Sequence, residues 1–118
     1  AQVRVVPAAP SLASPVPVGA AINTVGSSVT RNNFWRLRDA AATAREMLVS
    51  AAMVELGDAT RAHYTVANAV VTHQPSGRSL AYAQLAARAA TLPVPAAAPL
   101  VPDAQLRSIG KPLPRADI

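Results

Sequence analysis

The run Gly26-Ser27-Ser28-Val29-Thr30-Arg31-Asn32 gathers three hydroxyls, an amide and a guanidinium directly ahead of a long alanine-rich stretch. If that stretch is a helix, its first turn presents backbone N–H groups without carbonyl partners and a partial positive charge. Gly26 lets backbone approach a ligand closely. Ser27, Ser28 and Thr30 add hydroxyls, and Arg31 adds a planar fork suited to phosphate oxygens. Such a constellation can cradle a pyrophosphate. The same residues also serve simply as helix caps, and the pattern alone leaves both readings open.

The remaining chemistry-bearing groups are sparse. His63 and His73 stand ten positions apart, and Asp58 is the one acidic residue near either. With no further His and no Cys beside them, they read as packing or solvated histidines, not as a metal centre. Asp39, Glu46 and Glu55 fall on the expected helix, where carboxylates solvate one face. No spacing supports a Ser-His-Asp relay or a carboxylate pair. The absence of cysteine excludes a disulfide, a thiolate metal site and an iron–sulfur ligand in this chain.

The net charge of +5 is carried by ten arginines and Lys111, which permits an anionic partner such as phosphate. The arginines are scattered, with few aromatics between them, so nucleic acid is not the expected partner. A nucleic-acid surface would need several of Arg31, Arg36, Arg38 and Arg45 on one exposed face. No apolar run reaches the ~18 residues of a membrane span.

Around these groups, the periodicity predicts a helix from about Asn33 to Leu56, with Phe34, Leu37, Ala41, Ala44, Leu48, Ala51 and Ala52 as its apolar stripe. Asn32 or Asn33 is the expected cap, and Gly57 suits the left-handed position that ends a helix. Residues 63–73 read as two short strands about a turn at Asn68-Ala69. Gln74-Pro75-Ser76-Gly77 makes a second turn, with a short strand at Arg78-Ser79-Leu80. Tyr82, Leu85, Ala86, Ala89 and Leu92 then mark a second helix from about Ala81 to Leu92, which Pro93 and Pro95 stop.

The expected fold class is therefore α+β: one long and one shorter helix packed on a small antiparallel sheet, with extended Pro-rich arms. A short strand at Val3–Val6 and the Pro-rich arm occupy 1–19, the folded centre 20–92 and the second arm 93–118. The apolar residues are mostly Ala and Val, which bury little area each at roughly 25 cal/mol per Å². A thin core and marginal stability in isolation follow.

The order of segments adds a resemblance. Asn23-Thr24-Val25-Gly26-Ser27-Ser28-Val29-Thr30-Arg31 resembles the Thr-Gly-Gly-Ser-Thr-Ser-x-Arg segment of molybdenum hydroxylase (xanthine dehydrogenase/aldehyde oxidase) large subunits, in the isoquinoline oxidoreductase/aldehyde dehydrogenase branch. Trp35 and the Ala-rich helix through Ala44–Val49 follow in the same order, as do a turn between strands and the run Ser76-Gly77-Arg78-Ser79-Leu80-Ala81-Tyr82-Ala83-Gln84-Leu85-Ala86. Leu92–Pro95 and Ile109–Asp117 complete the series. Val25 and Val29 depart from the family pattern, and Ala69 stands in place of the Gly of an Asn-Gly turn.

The resemblance implies an internal piece of a molybdopterin-binding subunit: a cleaved fragment, an excised domain or one chain of a split subunit, not catalytic alone. The parent enzyme would hydroxylate aldehydes or N-heteroaromatics. Gly26, Ser27, Ser28, Thr30 and Arg31 would contact a molybdopterin dinucleotide, commonly the cytosine form. The implied partners are the remainder of that subunit, a small iron–sulfur subunit and a cytochrome-type electron acceptor, in the periplasm or the cytoplasm. The alternative is a structural or interaction module that wraps a partner chain and has no ligand site of its own.

Overall fold

Six covered positions line the long helix, and two of them are arginines. The computed structural model describes residues 25–107 and 109–112, with only the backbone of Val25, Ser28 and Val29. The strand expected at 3–6, the stretch 7–24 and residues 113–118 lie outside the described residues. The chain divides into two units, residues 1–34 and 35–118; the packing that follows is that of the second.

Helix α1 spans Ser28–Leu56, preceded by a 3-10 turn at Val25–Ser27. It starts five residues before the expected position, so Asn32 and Asn33 lie inside it and are not its caps. The physical reason is local. No Gly or Pro interrupts 28–56, whereas Gly26 and Ser27 take left-handed φ angles of 60° and 54°, which stop the helix from extending backwards. At the other end Gly57, with φ 75°, donates its N–H to Met53 at 3.0 Å and turns the chain away.

The last part of the stripe is where periodicity put it, with Ala51 and Ala52 buried and Leu48 packed on the core, but the earlier part sits one residue further on. Ala42, Val49 and Ala52 are buried, Leu37 is 68% exposed, and Ala41 and Ala44 face solvent. The covered line runs Arg38, Ala42, Arg45, Val49, Ala52, Leu56, a spacing of four and three. An apolar stripe does not mark Arg38 and Arg45, because they are charged. Their aliphatic stems instead lie along the covered face and carry the guanidinium groups to its edge.

The sheet is an antiparallel meander, β1 (Tyr64–Ala67), β2 (Val70–His73) and β3 (Ser79–Ala81), in that order. Tyr64 faces His73, Val66 faces Val71, and Val71 faces Leu80. These residues form the side turned to the helices. The alternate positions, Thr65, Thr72 and Ser79, make a row of hydroxyls; Thr72 and Ser79 hydrogen-bond at 2.9 Å, and Gln74 donates to Thr65 at 2.7 Å. Asn68 and Ala69, at φ 50° and 59°, form the tight turn between β1 and β2.

Helix α2 (Tyr82–Ala89) follows β3 directly, and the Gln84 side chain accepts the N–H of Ala81 at 2.8 Å. It ends shorter than expected, running out through turns to Leu92. Leu85 and Ala89 pack with Val49, Ala51, Ala52, Tyr64 and Val71 into the core. Among the described residues only Leu85, Val49 and Val71 are large and fully buried, so the core there is as thin as composition implies. Two helices on a three-stranded antiparallel sheet make the α+β arrangement expected. Arg88 of α2 pairs with Glu55 of α1 at 3.0 Å.

The described part of the C-terminal arm lies back on α1. Arg38 donates to the Val101 carbonyl at 2.6 Å and to the Asp103 carboxylate at 3.0 Å, and Arg45 donates to the Pro99 carbonyl. A proline-rich segment lacks neighbouring strands for its carbonyls, and arginine forks supply donors instead. Among the described residues no helix is long and apolar enough to cross a membrane.

Candidate functional site

Two sites merit description, one from each unit. In the first, Gly26 and Ser27 precede Ser28, the first residue of α1, and Thr30 and Arg31 stand within the helix's first turn. Gly26, Ser27, Thr30 and Arg31 are exposed. The expected residues are thus contiguous, but they form a kinked 3-10 turn plus a helical turn, not a loop ahead of the helix. Ser27 is a non-glycine residue in left-handed backbone, which costs roughly 1–2 kcal/mol.

The second site arises where α1 hands over to the sheet. Gly57 turns the chain so that Asp58 comes beneath the β1–β2 hairpin. Asp58 is pinned from three directions: its Oδ1 accepts the Thr60 N–H at 2.8 Å, and its carbonyl accepts the Tyr64 hydroxyl at 2.9 Å. Its Oδ2 lies 2.5 Å from Nδ1 of His63 and 2.9 Å from Nε2 of His73. His63 sits just before β1, where the Gln74 N–H donates to its carbonyl at 2.8 Å; His73 ends β2 opposite Tyr64, its own N–H donating to the Arg78 carbonyl at 2.8 Å. Both imidazoles are therefore fixed by the hairpin register.

The other nitrogen of His73, Nδ1, meets the Ser76 hydroxyl at 2.7 Å, and the Tyr64 ring lies 4.9 Å away, centroid to centroid. The His73 side chain is only 9% exposed, against 44% for His63 and 25% for Asp58. An ionised carboxylate only accepts hydrogen bonds. Each facing nitrogen therefore carries a proton. Hydrogen bonds from His63 first, then from His73 and the Thr60 N–H, hold Asp58 well below the usual carboxylate range. Burial, with the Asp58 charge second, pushes the Tyr64 phenol up.

Sequence reasoning named these three residues but read the histidines as packing or solvated side chains and did not foresee their convergence. The signal was present: a hairpin turning at Asn68-Ala69 pairs positions that sum to 137, which sets His73 against Tyr64 and beside His63. What the spacing could not supply was the return of Asp58 under that pair. Oδ2, Nδ1 and Nε2 lie within 4.8 Å of one another, so the three can share one proton network or one cation.

The four helix arginines separate as their contacts differ. Arg38 and Arg45 are engaged by the arm, and Arg38 also stacks over Trp35 at 4.9 Å. Arg31 and Arg36 are exposed. Comparison of the chain with protein-family models, curated proteins and solved structures returns no match.

Proposed function

We propose that this chain is part of the molybdenum-cofactor-binding subunit of an oxidoreductase that hydroxylates aldehydes or N-heteroaromatics, and that it contributes a dinucleotide-binding turn at the start of α1. The observation that carries the reading is the pair of left-handed residues, Gly26 and Ser27, set immediately before a 29-residue helix. Strained backbone of this kind persists where surrounding structure demands it and collects at ligand sites. The five-segment resemblance supports the same assignment.

The residues fit the group. Left-handed backbone at Gly26 and Ser27 offers N–H donors, Ser27, Ser28 and Thr30 bring hydroxyls, and Arg31 brings a permanent cation for phosphate oxygens. None of them is a molybdenum ligand, and the bound cofactor would itself supply the oxygen-transfer and electron-transfer chemistry. This chain's share is to hold and orient the dinucleotide end. Partner subunits carrying the iron–sulfur clusters belong to the same reading.

A second reading, an interaction module covered by a partner, draws on Trp35, Leu37 and Val54, which are 54%, 68% and 54% exposed along α1. Titration of the 118-residue chain with cytidine 5′-diphosphate, followed by amide NMR, separates the two. The dinucleotide reading expects shifts centred on Gly26–Arg31 that Arg31→Ala abolishes. Unmoved amides there, or shifts spread over unrelated arginines, would favour the interaction module.

A further inference from the structure

We propose that Asp58, His63 and His73 form a divalent transition-metal site, binding Zn2+ or a neighbouring first-row ion through Oδ2, Nδ1 and Nε2. The site is independent of the dinucleotide-binding turn, and neither reading requires the other.

Three ligand-type atoms from three places in the chain, the end of α1, the entry to β1 and the end of β2, point at one spot and lie within 4.8 Å of one another. A donor set of two imidazoles and one carboxylate suits Zn2+ and its neighbours and is unsuited to Mg2+ or Ca2+, which prefer oxygen. Ligand atoms each about 2 Å from a tetrahedral ion are roughly 3.3 Å apart. The Oδ2–Nδ1 and Oδ2–Nε2 distances of 2.5 and 2.9 Å therefore need to open by less than 1 Å.

Outer contacts hold the ligands ready. Metal-binding histidines commonly use their second nitrogen in a hydrogen bond that fixes ring orientation. His73 has that partner in Ser76, at 2.7 Å from Nδ1. Thr60 holds the non-ligating Oδ1 of Asp58, and Tyr64 holds its carbonyl. Backbone at His63 and His73 is locked by the hairpin. Three protein ligands leave a fourth position for water or a partner's side chain, as in open zinc sites. The 44% exposure of His63 gives that position access to solvent.

The protons balance. A neutral imidazole facing the Asp58 carboxylate carries its one proton on the facing nitrogen. On binding, each ring keeps one proton and moves it to the opposite nitrogen. For His73 that is Nδ1, where the Ser76 oxygen changes from donor to acceptor. For His63 it is Nε2. Asp58 exchanges two hydrogen bonds for one metal bond, and no proton need be released.

The test is titration of the full 118-residue chain with Zn2+ alone by calorimetry, and with Co2+ alone by visible absorption, which reports low-coordinate Co2+. The account expects one ion per chain, the d–d bands of a four- or five-coordinate Co2+, and a raised Tm. His63→Ala, at the most exposed ligand, should weaken Zn2+ binding by more than about tenfold while leaving the far-UV circular dichroism unchanged. His63→Gln should keep a hydrogen bond to Asp58 yet lose the Co2+ bands. Absence of saturable uptake, or uptake of equal affinity in His63→Ala, would show instead a hydrogen-bonded clasp with no metal role.

Discussion

Nε2 of His73 lies 2.9 Å from Oδ2 of Asp58, across fifteen residues of chain that include all of β1 and its turn. That contact joins the end of α1 to the middle strand of the sheet. A buried imidazole with both nitrogens engaged is costly to disturb, because its partners lose their hydrogen bonds along with it. The predictions below follow from this junction and from the elements that set it.

Tyr64→Phe tests the junction with the smallest change. It removes the hydroxyl that donates to the Asp58 carbonyl at 2.9 Å and keeps the ring in the core. Leaving that carbonyl unpaired should cost about 1 kcal/mol, read as a lower midpoint in urea with an unchanged slope. His73→Ala should cost more, about 2–3 kcal/mol, since it removes buried volume as well.

Ala69→Gly should stabilise the chain. Ala69 holds φ 59° in the turn between β1 and β2, a conformation that Gly adopts without steric penalty. The expected gain is about 1 kcal/mol, or a Tm higher by roughly 4–8 °C, measured by thermal denaturation. A fall in Tm would mean that the left-handed assignment at this position is wrong.

Glu46 governs part of the acid response. It accepts from Arg61 at 2.6 and 3.0 Å and from Arg45 at 2.9 Å. The Arg61 hydrogen bonds lower its pKa most, partial burial opposes them, and Arg45 lowers it further. Because the folded value lies below the ordinary 4.5, this stabilisation is present above about pH 4.5 and disappears as pH falls through the folded value. Glu46→Gln should therefore flatten the decline in stability below pH 4.5, at a neutral-pH cost of no more than about 1 kcal/mol because Arg61 is well exposed. Equal acid slopes in the two proteins would contradict the assignment.

The arm gives a prediction of a different kind. Replacing both Arg38 and Arg45 with Ala removes the donors to Pro99 and Val101 and the pair to Asp103. Amide exchange around 99–106 should accelerate far more than exchange in the sheet and α2, because the deleted hydrogen bonds hold the arm and neither arginine belongs to the core cluster. Uniform loss of protection would show that the arm is integral to the core.

Much of this was legible in the residues themselves. The β1–β2 hairpin could be read because Asn68-Ala69 separates two β-branched runs, and the end of α1 because Gly57 follows its last apolar residue. Ala51 and Ala52 of α1 are buried as the stripe required, but its first half was misread because Arg38 and Arg45 occupy covered positions. Their long stems make them interior neighbours, but pattern reading counts them as solvent-facing. Its start was misplaced because Asn32 and Asn33 are good caps, whereas the backbone at Gly26 and Ser27 sets the boundary. Asp58 joins His63 and His73 only through the angle at which the chain leaves α1, which no spacing in the sequence encodes.

The account's central claim, membership in a molybdopterin-binding subunit, is tested most directly by metal analysis and intact mass spectrometry of material purified under native conditions. The account predicts molybdenum and iron together with larger co-purifying chains, and depletion of the molybdenum when Arg31 is replaced by Ala. A lone 12.1 kDa species without molybdenum, together with a chain that leaves cytidine 5′-diphosphate unbound, would contradict it.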